Sequence, residues 1–174
     1  MQTITVCTDA GHKNLHHQSV AVWASYIRTP SQTIHSSGII GQPCKGSSHA
    51  ELYAIANALH IIGKRYDLSK YKLIVYSDNL YALQNHIDGT LKKPKADHAE
   101  VYNKWIRPYL EKAGEFEGRH VKAHLPKEQW GGATRFYMQN WCDEEVHRIM
   151  KIASKLVINK AKEALVLSDE KEHN

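Results

Sequence analysis

Residues 3–11 read TITVCTDAG, a β-branched run that stops at one acid, Asp9, followed by two small residues. Thr3, Ile4, Thr5, Val6 and Thr8 favour an extended backbone, and Gly11 is where a strand ending at Asp9 would turn. Three further acids lie in settings that could converge with it: Glu51 in SSHAELYAIANAL, Asp78 closing KLIVYSDN, and Asp143 in NWCDEEVHRI. Any one alone reads as a solvated loop carboxylate. The four together make a candidate constellation.

Working outward, HKNLHHQS leads into SVAVWASYIRTP, where Val20, Val22, Ala24 and Tyr26 alternate with Ala21, Trp23 and Ser25 until Pro30. Such alternation marks a strand, and SQTIHSSGII follows closely enough to pair with it as a hairpin. His16 and His17 have no ligand-spaced acid or Cys and read as a surface turn. After GQPCKGSS the period changes: Ser48 can cap a helix with Glu51 at its third position, the S-x-x-E capping box. Leu52, Ile55, Leu59 and Ile62 then recur at helical spacing beside a small-residue stripe of Ala50, Ala54 and Ala58, which suits close packing on a sheet.

YKLIVYSDN is the next strand. Its continuous Leu73, Ile74, Val75 predicts a central position covered on both faces, and Asp78 closes it at the C-terminal end, where open α/β sheets place their sites. A short helix over residues 80–87, the basic turn GTLKKPKAD and an amphipathic helix over residues 98–112, kinked at Pro108, are expected next. EFEGRHVKAH is the last strand. Residues 125–140 have no clear period and read as a long loop, of the kind that is functional in compact domains. From Trp141 the chain reads as one long helix ending in a polar tail.

This order, βββαβα with a second helix before the last strand and a final helix after it, argues for an α/β fold: a mixed five-stranded sheet (βββαβαβα order when the two middle helices count as one layer) with helices on both faces. At 174 residues, with 42% apolar and 24% charged residues, the chain is one domain with its own core. Residues 1–150 read as that domain, and 151–174 as a continuation of the last helix and tail. No apolar run approaches a membrane span, and no basic-then-apolar leader opens the chain, so a cytoplasmic location is expected. Cys7, Cys44 and Cys142 are widely spaced without CxxC, which predicts reduced, packed thiols rather than a disulfide or zinc framework. The net charge of +5 suits a polyanionic partner bound in a salt-dependent way.

TDAG at Asp9, SSHAEL at Glu51, YSDN at Asp78, KAH at His124 and NWCDEEV at Asp143, in this order, resemble the ribonuclease H family, type I. The resemblance spans residues 1 to about 150. It departs at Ala10, where Gly is usual, at HKNLHHQS in place of a Gly- and Pro-rich turn, at Ser47 and Ser48, where Asn is frequent, and at LKKPK, a reduced form of the basic handle. The loop between His124 and Asp143 is also longer than is common.

The resemblance implies a metal-dependent endoribonuclease that cuts the RNA strand of an RNA–DNA hybrid, leaving a 5′-phosphate and a 3′-hydroxyl. Its cofactor would be two Mg²⁺ ions, with Mn²⁺ as the alternative, and such pairs stand roughly 3.5 to 4 Å apart. Carboxylate oxygens suit Mg²⁺. By resemblance Asp9 bridges both ions, Asp143 helps hold the one that activates water, Glu51 and Asp78 hold the other, and His124 assists proton transfer or product release. Gly11, Ser47, Ser48 and Asn79 become candidates for contacts to the hybrid, whose 2′-hydroxyls distinguish RNA from DNA. Lys92, Lys93 and Lys95 become candidates for its backbone. The expected state is a monomer without membrane contact, with the last helix as the surface if copies associate. Two other readings stay open: a binding module of the same fold without cleavage, and a DEDD-type exonuclease, which expects Asp-x-Glu where this chain has Asp9-Ala10-Gly11.

Overall fold

The computed structural model describes residues 1–82 and 95–172, with side chains to residue 162. The expected helix beyond Ala82 and the residues Lys92 and Lys93 lie outside the described residues. Five strands form one mixed sheet in the order β3-β2-β1-β4-β5: β1 (Gln2–Leu15), β2 (Gln18–Arg28), β3 (Thr33–Ile39), β4 (Tyr71–Ser77) and β5 (Glu115–His120). β1, β2 and β3 pair antiparallel, whereas β1 with β4 and β4 with β5 pair parallel. His16 and His17, both at positive φ, close the β1–β2 hairpin between Leu15 and Gln18. They form the surface turn that the sequence suggests, since a two-residue hairpin loop of matching twist needs positive φ at both positions.

β1 does not stop at Asp9. It runs on to Leu15 against β2, while its pairing with β4 ends at Cys7 opposite Tyr76. Asp9 therefore sits two residues past the last β1–β4 pair, and the crevice opens there rather than at a strand terminus. Gly11 does not turn the chain either. A Cβ there would meet Val146 Cγ1 at 3.0 Å and Met150 Cε at 3.1 Å, so glycine lets the last helix lie directly on the strand.

Alternation along β1 and β2 builds two cores. On one face Ile4, Val6 and Ile27 pack with Leu52, Ile55, Leu59 and Ile62 of α1 (Ser47–Gly63). On the other, Cys7, Val20, Val22 and Ala24 pack with Met138, Cys142, Val146, Met150 and Ala153 of the long last helix. Helices thus cover both faces, as the patterning requires. β4 departs from the expectation of double coverage: Leu73, Val75 and Ser77 are buried, whereas Lys72, Ile74 and Tyr76 are half-buried, because the last helix lies over β1, β2 and β3 and leaves this side of β4 open.

Helix α2 (residues 96–112) packs against α1. Where a kink at Pro108 is expected, the helix carries a π turn, Tyr102–Ile106, and Pro108 opens the regular turn that follows. A proline removes a helical donor and crowds the carbonyl four residues back, and the wider turn accommodates both. The last helix, α3, spans Thr134–Glu172, a length of about 58 Å at 1.5 Å per residue. It begins seven residues before Trp141, so residues 134–140 are helical rather than part of the loop. The cysteines are free and buried. Among the described residues no helix is long and apolar enough to cross a membrane.

Candidate active site

Three elements bring carboxylates together at the end of the sheet. Asp9 comes from β1, Glu51 from the first turns of α1, and Asp78 from the residue after β4; a ligand oxygen of each lies within 4.8 Å of the others. The capping box expected at Ser48 is not formed. Gly46 precedes the helix, without a side-chain cap. Glu51 Oε1 instead accepts a hydrogen bond from the Ala10 amide at 2.9 Å, a donor that also serves Asp9 Oδ1 at 2.9 Å. Ser48 Oγ accepts from Asn79 Nδ2 at 3.1 Å, and Asn79 Oδ1 accepts from the Ala82 amide at 2.9 Å. The Asn79 amide thereby ties the β4 exit to α1 through its nitrogen and caps the turn that follows through its oxygen.

The electrostatics follow from crowding. Asp9 is 6% exposed and Glu51 4%. Burial, then the nearby charge of Asp78, pushes the Asp9 carboxyl up to about 7. Burial, then Asp9 and Asp78, holds Glu51 well above the usual carboxylate range. Asp78 is raised by burial and then by Asp143. Glu51 Oε2 is buried with no hydrogen-bond partner. A buried, unpartnered carboxylate oxygen beside two like charges is costly unless a cation joins it. This all-oxygen donor set fits a hard divalent ion.

Asp143, in the third turn of α3, lines the same groove. It faces His124 Nδ1 at 3.8 Å and His147 Nδ1 at 3.6 Å. His124 is held at a positive φ of 54° on the stretch between β5 and α3. Gly11, Ser47 and Asn79 also line the groove. Lys95 is exposed ahead of α2 and does not line it. His120 was not singled out by the sequence; its Nε2 lies 3.1 Å from the Asp78 carbonyl oxygen and steadies that turn. His12, Lys13, His147, Lys151 and Lys155 extend the groove along β1 and α3. Their signal was present as steps of four from Asp143: residues 147, 151 and 155 share one helix face.

No family model matches the sequence, and no curated protein does. Solved structures do match. RNase H1 from the halophilic archaeon Halobacterium salinarum superposes with a TM-score of 0.61 at 13% identity, over 84% of this chain and 98% of that one. LC11-RNase H1, isolated from compost by a metagenomic approach, gives 0.61 at 21% identity, over 86% and 99%. The same LC11-RNase H1 in complex with an RNA/DNA hybrid gives 0.53 at 21% identity, over 82% and 98%. The fold is therefore common to this chain and to all three.

Proposed function

We propose, from the type 1 ribonuclease H fold that this chain shares with those structures, that the protein is a metal-dependent endoribonuclease acting on the RNA strand of RNA–DNA hybrids. The observation that carries the reading is the convergence of Asp9, Glu51 and Asp78 with a buried, unpartnered Glu51 oxygen. A site for general acid–base chemistry alone has no need of so many buried like charges. A site for divalent cations does. The hybrid as substrate is supported by LC11-RNase H1, solved in complex with one.

Asp9, Glu51 and Asp78 would hold the metal, with Asp143 as a further ligand across the groove. Bound there, two Mg²⁺ ions, or Mn²⁺ in their place, supply a hydroxide-like nucleophile and neutralise charge on the leaving oxygen. The chain's own groups do the rest. The Ala10 amide fixes the orientation of Asp9 and Glu51 together, the Ser48–Asn79 bond fixes the β4 exit that carries Asp78, and His124 stands where it can pass a proton beside Asp143. Cleavage on this reading leaves a 5′-phosphate and a 3′-hydroxyl. Gly11, Ser47 and Asn79, which line the groove, are the candidates for contact with the RNA strand, and Ser48 would steady the wall through its bond to Asn79. Lys92, Lys93 and Lys95 remain assigned to the hybrid backbone by their place in the sequence. The protein is taken to act in the cytoplasm as a monomer.

An internally labelled hybrid, incubated with Mg²⁺, with Mn²⁺ or with chelator, tests the proposal. Metal-dependent internal cuts in the RNA strand are expected. Cuts confined to the ends would make the protein an exonuclease, and binding without cleavage would make it a binding module.

A further inference from the structure

The groove does not end at the acids. The same groove, about 750 Å³ in all, continues from them between the outer half of β1 and the helix α3. Period-two alternation puts Lys13 on the same side of β1 as Cys7, Asp9 and Gly11, the side that α3 covers. On α3, Val146 and Met150 press on Gly11, and the residues one step further, His147 and Lys151, with Lys155 a turn beyond, form the groove's other wall. Lys13, His147, Lys151 and Lys155 are all exposed.

Three of the described lysines are held by an acid. Lys45, Lys70 and Lys72 each pair with an Asp or Glu. Among the described residues Lys13, Lys151 and Lys155 form no ion pair. Like charges facing one another across a groove repel, and no described acid lies within ion-pair distance of these three. Ser154 Oγ, on the same wall, is buried without a hydrogen-bond partner. Lys151 and Lys155 are about 6 Å apart along the helix axis, and Lys155 stands about 18 Å along it from Asp143.

The geometry points to a rail for a nucleic-acid strand: Lys13, Lys151 and Lys155 bind successive phosphates of the hybrid on the far side of the catalytic acids, and the extension of α3 past Met150 exists to carry it. The inference rests on the proposed function and adds a binding surface to it. A row of cations at helical spacing, set in a groove that leads to a metal-binding cluster, matches a polyanion whose charges repeat along a line. The acids at one end act on one phosphate, and the rail holds its neighbours.

The test is the binding of a fluorescent RNA–DNA hybrid by the full chain in chelator, from low to moderate salt, for the wild type, for K151Q/K155Q and for K64Q/K112Q. Lys64 and Lys112 are exposed, lie outside the groove and match the change in net charge. Each lost phosphate contact should lower the slope of log affinity against log salt by roughly 0.7 to 0.9 and weaken binding at low salt by about tenfold. K151Q/K155Q should therefore lose about one to two units of slope on that basis, and K64Q/K112Q much less. Equal losses in the two variants, or no loss in either, would overturn the rail. A wild type that binds through the rail but cuts nothing would overturn the proposed hydrolysis and leave the rail standing; normal cutting with an unchanged slope would do the reverse.

Discussion

The Ala10 amide donates to Glu51 Oε1 at 2.9 Å, so one backbone N–H of β1 fixes a side chain from α1 that is forty-one residues distant in the chain. The same N–H reaches Asp9 Oδ1. Two carboxyl groups that would repel are thus held by a common donor on a rigid strand, and the site's spacing belongs to the fold rather than to any loop. Such preorganisation lets a cation enter without rearrangement of its ligands.

Asp9→Asn and Asp78→Asn should each abolish hybrid cleavage while leaving a folded protein. The Asp9→Asn side chain keeps an oxygen for the Ala10 amide and removes one of the crowded charges, so the metal-free variant should melt at or above the wild-type temperature. Cleavage assays paired with thermal melts in chelator measure both effects. A variant with full activity would remove Asp9 or Asp78 from the chemistry, and one that fails to fold would make its role structural.

The raised Asp9 pKa sets a pH dependence for the metal-free protein. Between about pH 4, where an unfolded Asp ionises, and about pH 7, the folded state holds a proton that the unfolded chain has lost. Stability therefore falls as pH rises across that window, by at most about 4 kcal/mol for a group moved from 3.8 to about 7. Glu51 and Asp78 shift in the same direction. Glu145 acts oppositely, because Arg148 and then Ser37 hold it at about 2. The difference between wild type and Asp9→Asn isolates the site: in chelator the variant's advantage should grow from about pH 5 to about pH 8. Mg²⁺ should raise the wild-type melting temperature more at the upper end of that range than at the lower. An advantage that is constant across pH would mean that Asp9 ionises normally.

How far the sequence could be read follows from the range of the interactions. The alternation in Val20–Tyr26 and the α1 stripe bury residues against near neighbours, and both were legible. Gly11 was not, because what requires glycine there is Val146 and Met150, brought back by the whole length of the chain. Ser48 and Glu51 match a local capping pattern, but Asn79 and Ala10, distant in sequence, take up their side chains. The start of α3 leaves a periodic signal ahead of Trp141: Met138, Cys142, Val146 and Met150 recur at steps of four and are buried on the sheet. The acids themselves could be read only as strand-end or helix-start residues. Their convergence within 4.8 Å is a property of the sheet order.

Gly11 also makes a prediction about packing. A methyl group at residue 11 would meet Val146 Cγ1, Met150 Cε and Val22 Cγ2 at 3.0, 3.1 and 3.4 Å. Met150 is flexible, and alanine restricts the unfolded chain more than glycine does, so Gly11→Ala should change stability by less than about 1 kcal/mol. Gly11→Val adds two further methyl groups against the helix and should cost about 1–3 kcal/mol by overpacking. It should also lower the cleavage rate, because α3 carries Asp143. Denaturant midpoints and rates for the two variants test this, and a neutral Gly11→Val would show that the helix does not rest on the strand.

His124 gives the last prediction, one that separates chemistry from architecture. Its backbone sits at φ 54°, a region that non-glycine residues enter at a cost of about 1 kcal/mol and that Asn tolerates better than Ala. Its side chain is 72% exposed, and its ring nitrogen lies 3.8 Å from Asp143 Oδ2. A ring this exposed and this far from its partner contributes little to stability, and on the proposed function its contribution is to the reaction. Positioned proton transfer contributes about 10²-fold or more in rate; with the ring beyond hydrogen-bond distance, the lower end of that range applies. His124→Asn, which suits the turn, and His124→Ala, which does not, should lower kcat by the same factor of roughly 10². Their hybrid affinity should match that of the wild type, and His124→Ala should melt slightly lower than His124→Asn. If kcat instead followed the melting temperature, with the asparagine variant active and the alanine variant not, the residue would serve the turn. If affinity fell with kcat held, it would bind the strand.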